Sequence, residues 1–420
     1  MARDPLREIT VGSAAADVVG TDGRAIQIAI DALGARGGGT VRVRAGEYLL
    51  RDSVRLRPGV ALIGDRGGTV LRRGPLAASP LAVDADISEC HITPADAGAF
   101  EPGMGVCLTD AKHRWAFTQD PYVVTAVEGG VLHLSDFMTE ERSANQGGQV
   151  VNVFPLILAR CAEGAVIDGF ICDAAVDDPD GLLRWCRYAI VLLYRCPGAA
   201  VRHVVVRNGS GDGIAVGKTS TGAVVEDCEA HDNGCHGIHP GSHSAGAAVR
   251  RCHIHHNGAD GLYICWGVVG GCFEDNHVHH NGGRGRRSGI SIGHKDTDCL
   301  IARNHVHDNA GSGINVRAEA EANGAHRGVY RANVIENNGS PPAEGEEPSC
   351  GVTVHGVTKD LAFEGNTIRE TRRGDARAQR NALWLGEGVA GVRMAGNVIE
   401  GHPAEAVVDR SGGDHELQTG

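Results

Sequence analysis

The chain has 420 residues, 61 of them Gly and 21 His, with only 4% aromatic residues and a formal charge of -12. So few aromatic residues exclude an ordinary aromatic-rich core, and so much Gly implies many tight turns. The acidic balance excludes a general nucleic-acid binder, whose footprint is a basic stripe, and no run approaches the ~18 apolar residues of a membrane span.

The N-terminal stretch MARDPLREITVGSAAADVV has no apolar run of the kind a secretory signal needs. A cytoplasmic location is therefore expected, with a mature secreted form as the alternative. The 13 Cys are odd in number, show no CxxC spacing and sit mostly in apolar stretches, so they read as reduced core residues. From residue 188 the sequence falls into register with itself, and successive segments start at Tyr188, Asp212, His236, Asp260, Ser288, Ser312 and Cys350. The commonest step, 24 residues, is too short for a helical hairpin and fits one coil of a β-solenoid. Within each coil a pair such as Ile214 and Val216, or Ile290 and Ile292, alternates with polar positions, as a half-buried strand requires. A second strand follows, then a third that contains Ile254, Val278, Val306 and Ile335. Two Asn columns fix the stacking. Asn233, Asn257, Asn281, Asn309 and Asn338 recur at one turn, where Asn tolerates left-handed backbone and hydrogen-bonds its stacked neighbour. Asn276, Asn304, Asn333 and Asn366 form the other column, continued upstream by Cys252 and Cys228.

These features resemble the pectin-lyase-like superfamily, which implies an all-β, single-stranded right-handed parallel β-helix with an N-terminal capping helix. Residues 1–37 are expected to hold the N-terminal segment and that helix, because TDGRAIQIAIDALGARGGGTVRVRAGEYLL looks like the usual opening of the fold. Asp22 or Thr21 caps a helix around Ile26 to Leu33, whose apolar face seals the open end of the solenoid. Residues 38–99 read as early coils, 100–152 as a β-rich insertion that breaks the register, 153–410 as the main β-helix and 411–420 as a polar tail.

Coil stacking sets equivalent positions about 4.8 Å apart. The first column then reads Asp212, His236, Asp260, Ser288, Ser312, and the fourth reads Ala215, His239, Tyr263, Ser291, Asn315. The sixth to eighth positions add Lys218, His243, Trp266, His294, Lys295, Arg317 and His355. Alternation with inward Ile and Val places the fourth and sixth positions outside. One patch thus combines carboxylates, imidazoles, a phenol, an indole and cations, and Tyr263 with Trp266 suits a stacked sugar ring. The expansion GGRGRR adds Arg284, Arg286 and Arg287, a basic loop suited to an anionic substrate. Of the His residues, 13 of 21 lie between His231 and His307. The columns His253, His277, His305 and His231, His255, His279, His307, followed by His256 and His280, read as a structural ladder, because zinc takes tetrahedral ligands and not a linear rack. A divalent cation, Ca²⁺ or Zn²⁺, is not required by the sequence; its candidate seat is HGIHPGSH, where His236, His239 and His243 would converge with Asp260.

Several enzymes of the resembled fold act on acidic polysaccharides. Mannuronan C5-epimerases carry a YG-x-DPH motif, and HGIHPGSH is similar in shape, with Gly237 and Pro240 matching. His236, His239 and Gly241 replace its Tyr, Asp and His, so no catalytic identity carries over. Galacturonan hydrolases carry NTD, DD, GHG and RIK motifs. SGISIG and INVR resemble the last two, but Ser288 replaces the GHG His and the DD pair is missing. From residue types, C5 proton abstraction on a uronate, as a lyase or an epimerase, needs a cation (Lys218, Arg317 or Lys295), a base (His236 or His239) and an acid (Tyr263). The runner-up is an inverting glycoside hydrolase or intramolecular glycosyl transferase using Asp212 and Asp260, and the third alternative is a non-catalytic glycan-binding scaffold. The expected partner is an oligo- or polysaccharide, with neither nucleic acid nor membrane; trimeric self-association is left open. A cytoplasmic location favours an oligosaccharide or biosynthetic intermediate over an intact cell-wall polymer.

Overall fold

The computed structural model describes residues 7–111, 121–175, 188–341 and 349–418. The expected insertion at 100–152 and the expected tail at 411–420 therefore each lie partly outside the described residues. Two compact units arise, one from residues 1–192 with 204–214 and the other from residues 193–203 with 215–420.

The first unit opens with strand Glu8–Gly12 and the helix Gly23–Gly34 (α1). Asp22, not Thr21, is the N-cap, and its side chain accepts from the Ala25 amide at 2.9 Å. Ala25, Ile26, Ala29, Ile30 and Leu33 form the buried face of α1. Gly38 belongs to the turn that follows: its φ is +113°, and a Cβ there would stand 2.3 Å from the Gly59 carbonyl oxygen, so only glycine fits. Parallel coils follow, with Gly39–Val43 paired to Val60–Gly64, and Gly46–Leu50 to Thr69–Arg73.

The inserted domain starts earlier than residue 100. Its six strands, ordered Ala78–Pro80, Gln149–Val151, Gly105–Thr109, Tyr122–Glu128, Val131–Leu134, His91–Ile92, form one antiparallel sheet. Residues 78–92, expected among the early coils, therefore belong to it. The reason is apolar burial: Leu81 and Ile92 share a core with Phe100, Val106, Leu108, Val124 and Leu132.

The second unit is a stack of parallel coils, each with three short strands. Its first sheet runs through Ile238–Pro240, Leu262–Ile264, Ile290–Ile292, Ile314–Val316 and Cys350–Val354. The second runs through Val224–Glu226, Ala248–Arg250, Cys272–Glu274 and Leu300–Ala302. The third runs through Glu229–His231, His253–His255, His277–His279, His305–His307 and Val334–Glu336. Leu262, Ile290, Ile314 and Val352 stack inside at no exposure, as period-two alternation requires. Cys172, Cys252 and Cys299 are buried core thiols, and no disulfide joins the described cysteines. No helix among the described residues is long and apolar enough to cross a membrane.

Both Asn columns are continuous hydrogen-bonded ladders. Asn276 donates from its side chain to Asn304 Oδ1 at 2.9 Å and from its backbone at 3.0 Å; Asn304 does the same to Asn333, and Asn333 to Asn366. Asn397 extends this ladder beyond the expected column, and Gln379 ends the other by accepting from Asn338. The left-handed backbone expected at the Asn columns belongs to the residue before each one: Asp232, His256, His280, Asp308 and Asn337 have φ near +50°. That residue turns the corner, which leaves the Asn amide facing inward. Asn304→Ala removes the acceptor for two buried donors of Asn276 and is expected to cost about 2–4 kcal/mol. A lowered urea midpoint at unchanged slope checks this.

Candidate functional site

On the outer face of the first sheet, the sequence places His239 and Tyr263 one coil apart between inward apolar neighbours. Tyr263 is flanked by Leu262 and Ile264, both fully buried, so its ring stands outside the coil. The ring does not lie open. His236 stacks on it with centroids 4.0 Å apart and planes within 7°, and His239 meets it edge-on at 4.9 Å. The Arg317 guanidinium lies 4.5 Å from the same ring. Arg317 is held there by donating to Ser291 Oγ at 2.9 Å and to the Ile264 carbonyl at 2.7 Å. Burial pushes the Tyr263 phenol well above its ordinary value, against the pull of Arg317, so it is a protonated donor at neutral pH. Cys265, next along the strand, is likewise raised by burial.

The first column is buried, and the expected outward exposure of the fourth position is corrected at His239 and Ser291, which are buried as well. His236 and Asp260 are each 1% exposed, and His239 9%. Asp260 Oδ2 accepts a two-pronged fork from Arg287, Nη2 at 2.6 Å and Nε at 3.0 Å, while its Oδ1 accepts from the Ser288 amide at 2.8 Å. His236 Nδ1 stands 3.5 Å from Asp260 Oδ2. Asp260 thus pairs with Arg287 on one side and stands beside His236 on the other. Asp212 is also fully buried and belongs to the first unit.

The remaining predicted residues sort into other places. Lys218, His243, Trp266, His294 and Lys295 occupy the turn after the first sheet, all with left-handed backbone. Trp266 is 43% exposed and contacts the His294 ring at 5.5 Å; it does not stack beside Tyr263 as expected. Lys218 Nζ lies 5.5 Å from the Tyr194 ring, His294 Nδ1 is 3.4 Å from Glu319, and the exposed Lys295 donates its backbone amide to the Asn323 carbonyl. His243 faces this turn, its ring beside Gly267, so HGIHPGSH brings together only His236 and His239 with Asp260. In the basic loop, Arg284 is exposed, whereas Arg286 donates to the Ser340 carbonyl and to Ser349 Oγ. His355, at the end of its strand, has its backbone carbonyl capped by Thr358.

Residues 189–368 match the family model described as a right-handed beta helix region. No curated protein sequence matches the chain. Solved structures do. The A-module of Azotobacter vinelandii mannuronan C-5 epimerase AlgE4 aligns with a TM-score of 0.55 at 17% identity, over 95% of this chain and 97% of that one. A protein titled glycoside hydrolase aligns at 0.52 and 11%, over 97% and 96%. The Dettilon tailspike protein aligns at 0.59 and 12%, over 96% of this chain and 68% of its own. The chain has the right-handed parallel β-helix fold.

Asp296 is a residue of this β-helix that sequence reasoning missed. It is fully buried below the Trp266 turn and accepts from the Val268 and Gly293 amides at 2.8 and 3.1 Å, 3.8 Å from Arg317. In GHKDTD it reads as one more polar turn residue; only the neighbouring coil's Val268 amide shows that it points inward. Burial pushes its carboxyl up to about 7. A carboxyl raised from 3.8 in the unfolded chain to about 7 in the fold keeps its proton longer when folded. Its stabilising contribution is therefore complete below the lower value and is lost as pH rises through the upper one. Asp296→Asn is expected to flatten the fall in melting temperature across that window relative to the parent, which thermal scans at stepped pH would show.

Proposed function

We propose that the chain is a carbohydrate-active enzyme that abstracts the C5 proton of a uronate-containing glycan on the outer face of the first sheet. The observation that carries this reading is the Tyr263 phenol gathered with two imidazoles and a guanidinium on one strand face. Proton abstraction next to a carboxylate needs a base on one side of the sugar and an acid for the leaving oxygen or the opposite face. His239, the more exposed of the two imidazoles, takes the C5 proton. Tyr263, kept protonated by burial, donates either to C5 from the other side, giving the epimer, or to the departing O4, giving the unsaturated product. Arg317 and His236 fix the phenol, and Asp260 with Arg287 fixes His236. Since Arg317 and Arg287 are engaged, Lys218, Lys295 and Arg284 are the cations assigned to the uronate carboxylate, with Trp266 as a sugar-stacking surface. Alignment with a mannuronan epimerase module over nearly the full length of both chains supports the class.

The hydrolase reading fares less well on the same geometry. Asp260 has both oxygens engaged and is almost wholly covered, so it lacks access to a glycosidic oxygen.

The test is incubation with mannuronate, guluronate and galacturonate oligosaccharides, read by ultraviolet absorbance of unsaturated ends, by reducing-end release and by proton NMR of C5 configuration. Turnover in the first or third channel is expected. Tyr263→Phe and His239→Gln should each lower kcat by about 10²–10⁴ while the circular dichroism is kept. New reducing ends without unsaturation would replace the proposal with hydrolysis, and no turnover on any uronate would overturn it.

A further inference from the structure

The third sheet carries a separate set of side chains that the Tyr263 cluster does not use. Four successive coils present E-A-H-D at 229–232, H-I-H-H at 253–256, H-V-H-H at 277–280 and H-V-H-D at 305–308. The outer strand positions hold the first and third member of each group, and the corner holds the fourth. Parallel pairing sets His253 beside His277 and His305, and His255 beside His279 and His307.

What the sequence presents as a linear rack is, in three dimensions, a zigzag. The third-position imidazoles are tied at Nδ1 by the corner residue: His255 to His256 at 2.8 Å, His279 to His280 at 2.7 Å, His307 to Asp308 at 2.7 Å. This tether orients each ring so that Nε2 points back at the first-position residue of the preceding coil. His255 Nε2 meets Glu229 at 3.1 Å, His279 Nε2 meets His253 Nε2 at 2.8 Å, and His307 Nε2 meets His277 Nε2 at 2.7 Å. Three three-ligand groups follow, each with its ligand atoms within 4.8 Å of one another: Glu229, His253, His255; His253, His277, His279; and His277, His305, His307. All their members are partly exposed, so an ion has a path in.

We propose that this zigzag on the third sheet is a transition-metal site, with Zn²⁺ as the fitting ion, assembled from His253, His255, His277, His279, His305 and His307 with Glu229 at its edge. Zinc holds imidazole nitrogens at about 2.0–2.1 Å, so two ligands of a tetrahedron stand about 3.4 Å apart. The 2.7–2.8 Å pairs need to open by only about half an ångström to admit the ion, which displaces the shared proton. Water supplies the fourth ligand. The Nδ1 tethers are the outer contacts that a zinc-bound histidine ordinarily makes, including one carboxylate, Asp308. With one nitrogen per imidazole, the first and third groups share no residue, whereas the middle group shares His253 with one and His277 with the other. The chain therefore holds one or two ions.

The test uses the full-length, untagged, chelator-treated protein titrated with ZnCl₂ by calorimetry, independent of any glycan activity. Binding of one or two ions tighter than about 10 µM is expected, with a rise in melting temperature. The double substitution His253→Gln with His277→Gln, which takes a ligand from each of the three groups, should weaken it by about 100-fold and leave the metal-free melting curve in place. Binding weaker than that limit, or unaltered by the substitutions, overturns the site. A readout that needs no variant is diethyl pyrocarbonate labelling of the parent protein followed by mass spectrometry. Zn²⁺ should protect His277, His279 and His307 and leave the exposed His91 reactive; equal labelling with and without Zn²⁺ would also overturn the site.

Discussion

Asn276, Asn304 and Asn333, all buried, each donate from the side-chain amide both to the asparagine of the next coil and to a backbone carbonyl of the preceding one. A primary amide withdrawn from water without partners costs several kcal/mol. Asn276 to Asn397 and Asn233 to Gln379 solve this by passing one hydrogen bond from coil to coil. The ladder exists only when the coils are in register, so it ties the sequence period to the stacking. Where the repeat lengthens from 24 to 28 residues, as between Asn257 and Asn281 on one side and Asn281 and Asn309 on the other, the ladder spacing holds and the extra residues are expelled into a turn.

That constraint turns sequence period into chemistry. Residues one repeat apart become lateral neighbours, so a tyrosine finds the histidines of the preceding coil, and an arginine two coils on reaches back over it. The same geometry on another face draws histidines of adjacent columns within contact of one another. The two clusters differ in how they are held. The Tyr263 cluster is packed by its own side chains, with the buried Asp260 carboxylate, paired to a part-exposed Arg287, behind His236 and the buried Asp296 carboxyl under the turn. The histidine zigzag is half-buried at the surface and is oriented by corner residues. Enclosure raises the Tyr263 and Asp296 proton affinities, as low-dielectric surroundings do for acids. In the zigzag, burial and the neighbouring imidazoles hold His277 down to about 4 and His279 to about 3, because crowded rings resist protonation.

The inserted sheet shows where local pattern fails. Residues 78–92 continue a polar and apolar alternation that suits a coil as well as an antiparallel strand. Their choice of partner rests on Gln149–Val151 and Val131–Leu134, whose distance in sequence hides the pairing. The same limit applies to Asp296, whose acceptors face amides one coil away, and to Arg286 and Arg287. A sequence shows three basic residues in a loop; which of them meets Asp260, which meets Ser349 and which meets solvent depends on the fold.

By itself the sequence determined the parallel β-helix, the capping helix, the Asn columns and the column that sets His239 beside Tyr263, because all of these follow from period and alternation along one strand; that His236 turns onto the Tyr263 ring was decided by the fold. Tertiary structure alone decided that Asp260 and Arg287 bind each other, that Trp266 leaves Tyr263 for the turn, that Asp296 is buried, and that the histidine columns interleave. Register along the stack is a one-dimensional property that a repeat can write down. The direction a side chain takes at a corner, and the partner it finds across coils, depend on left-handed turns and desolvation that no repeat position records.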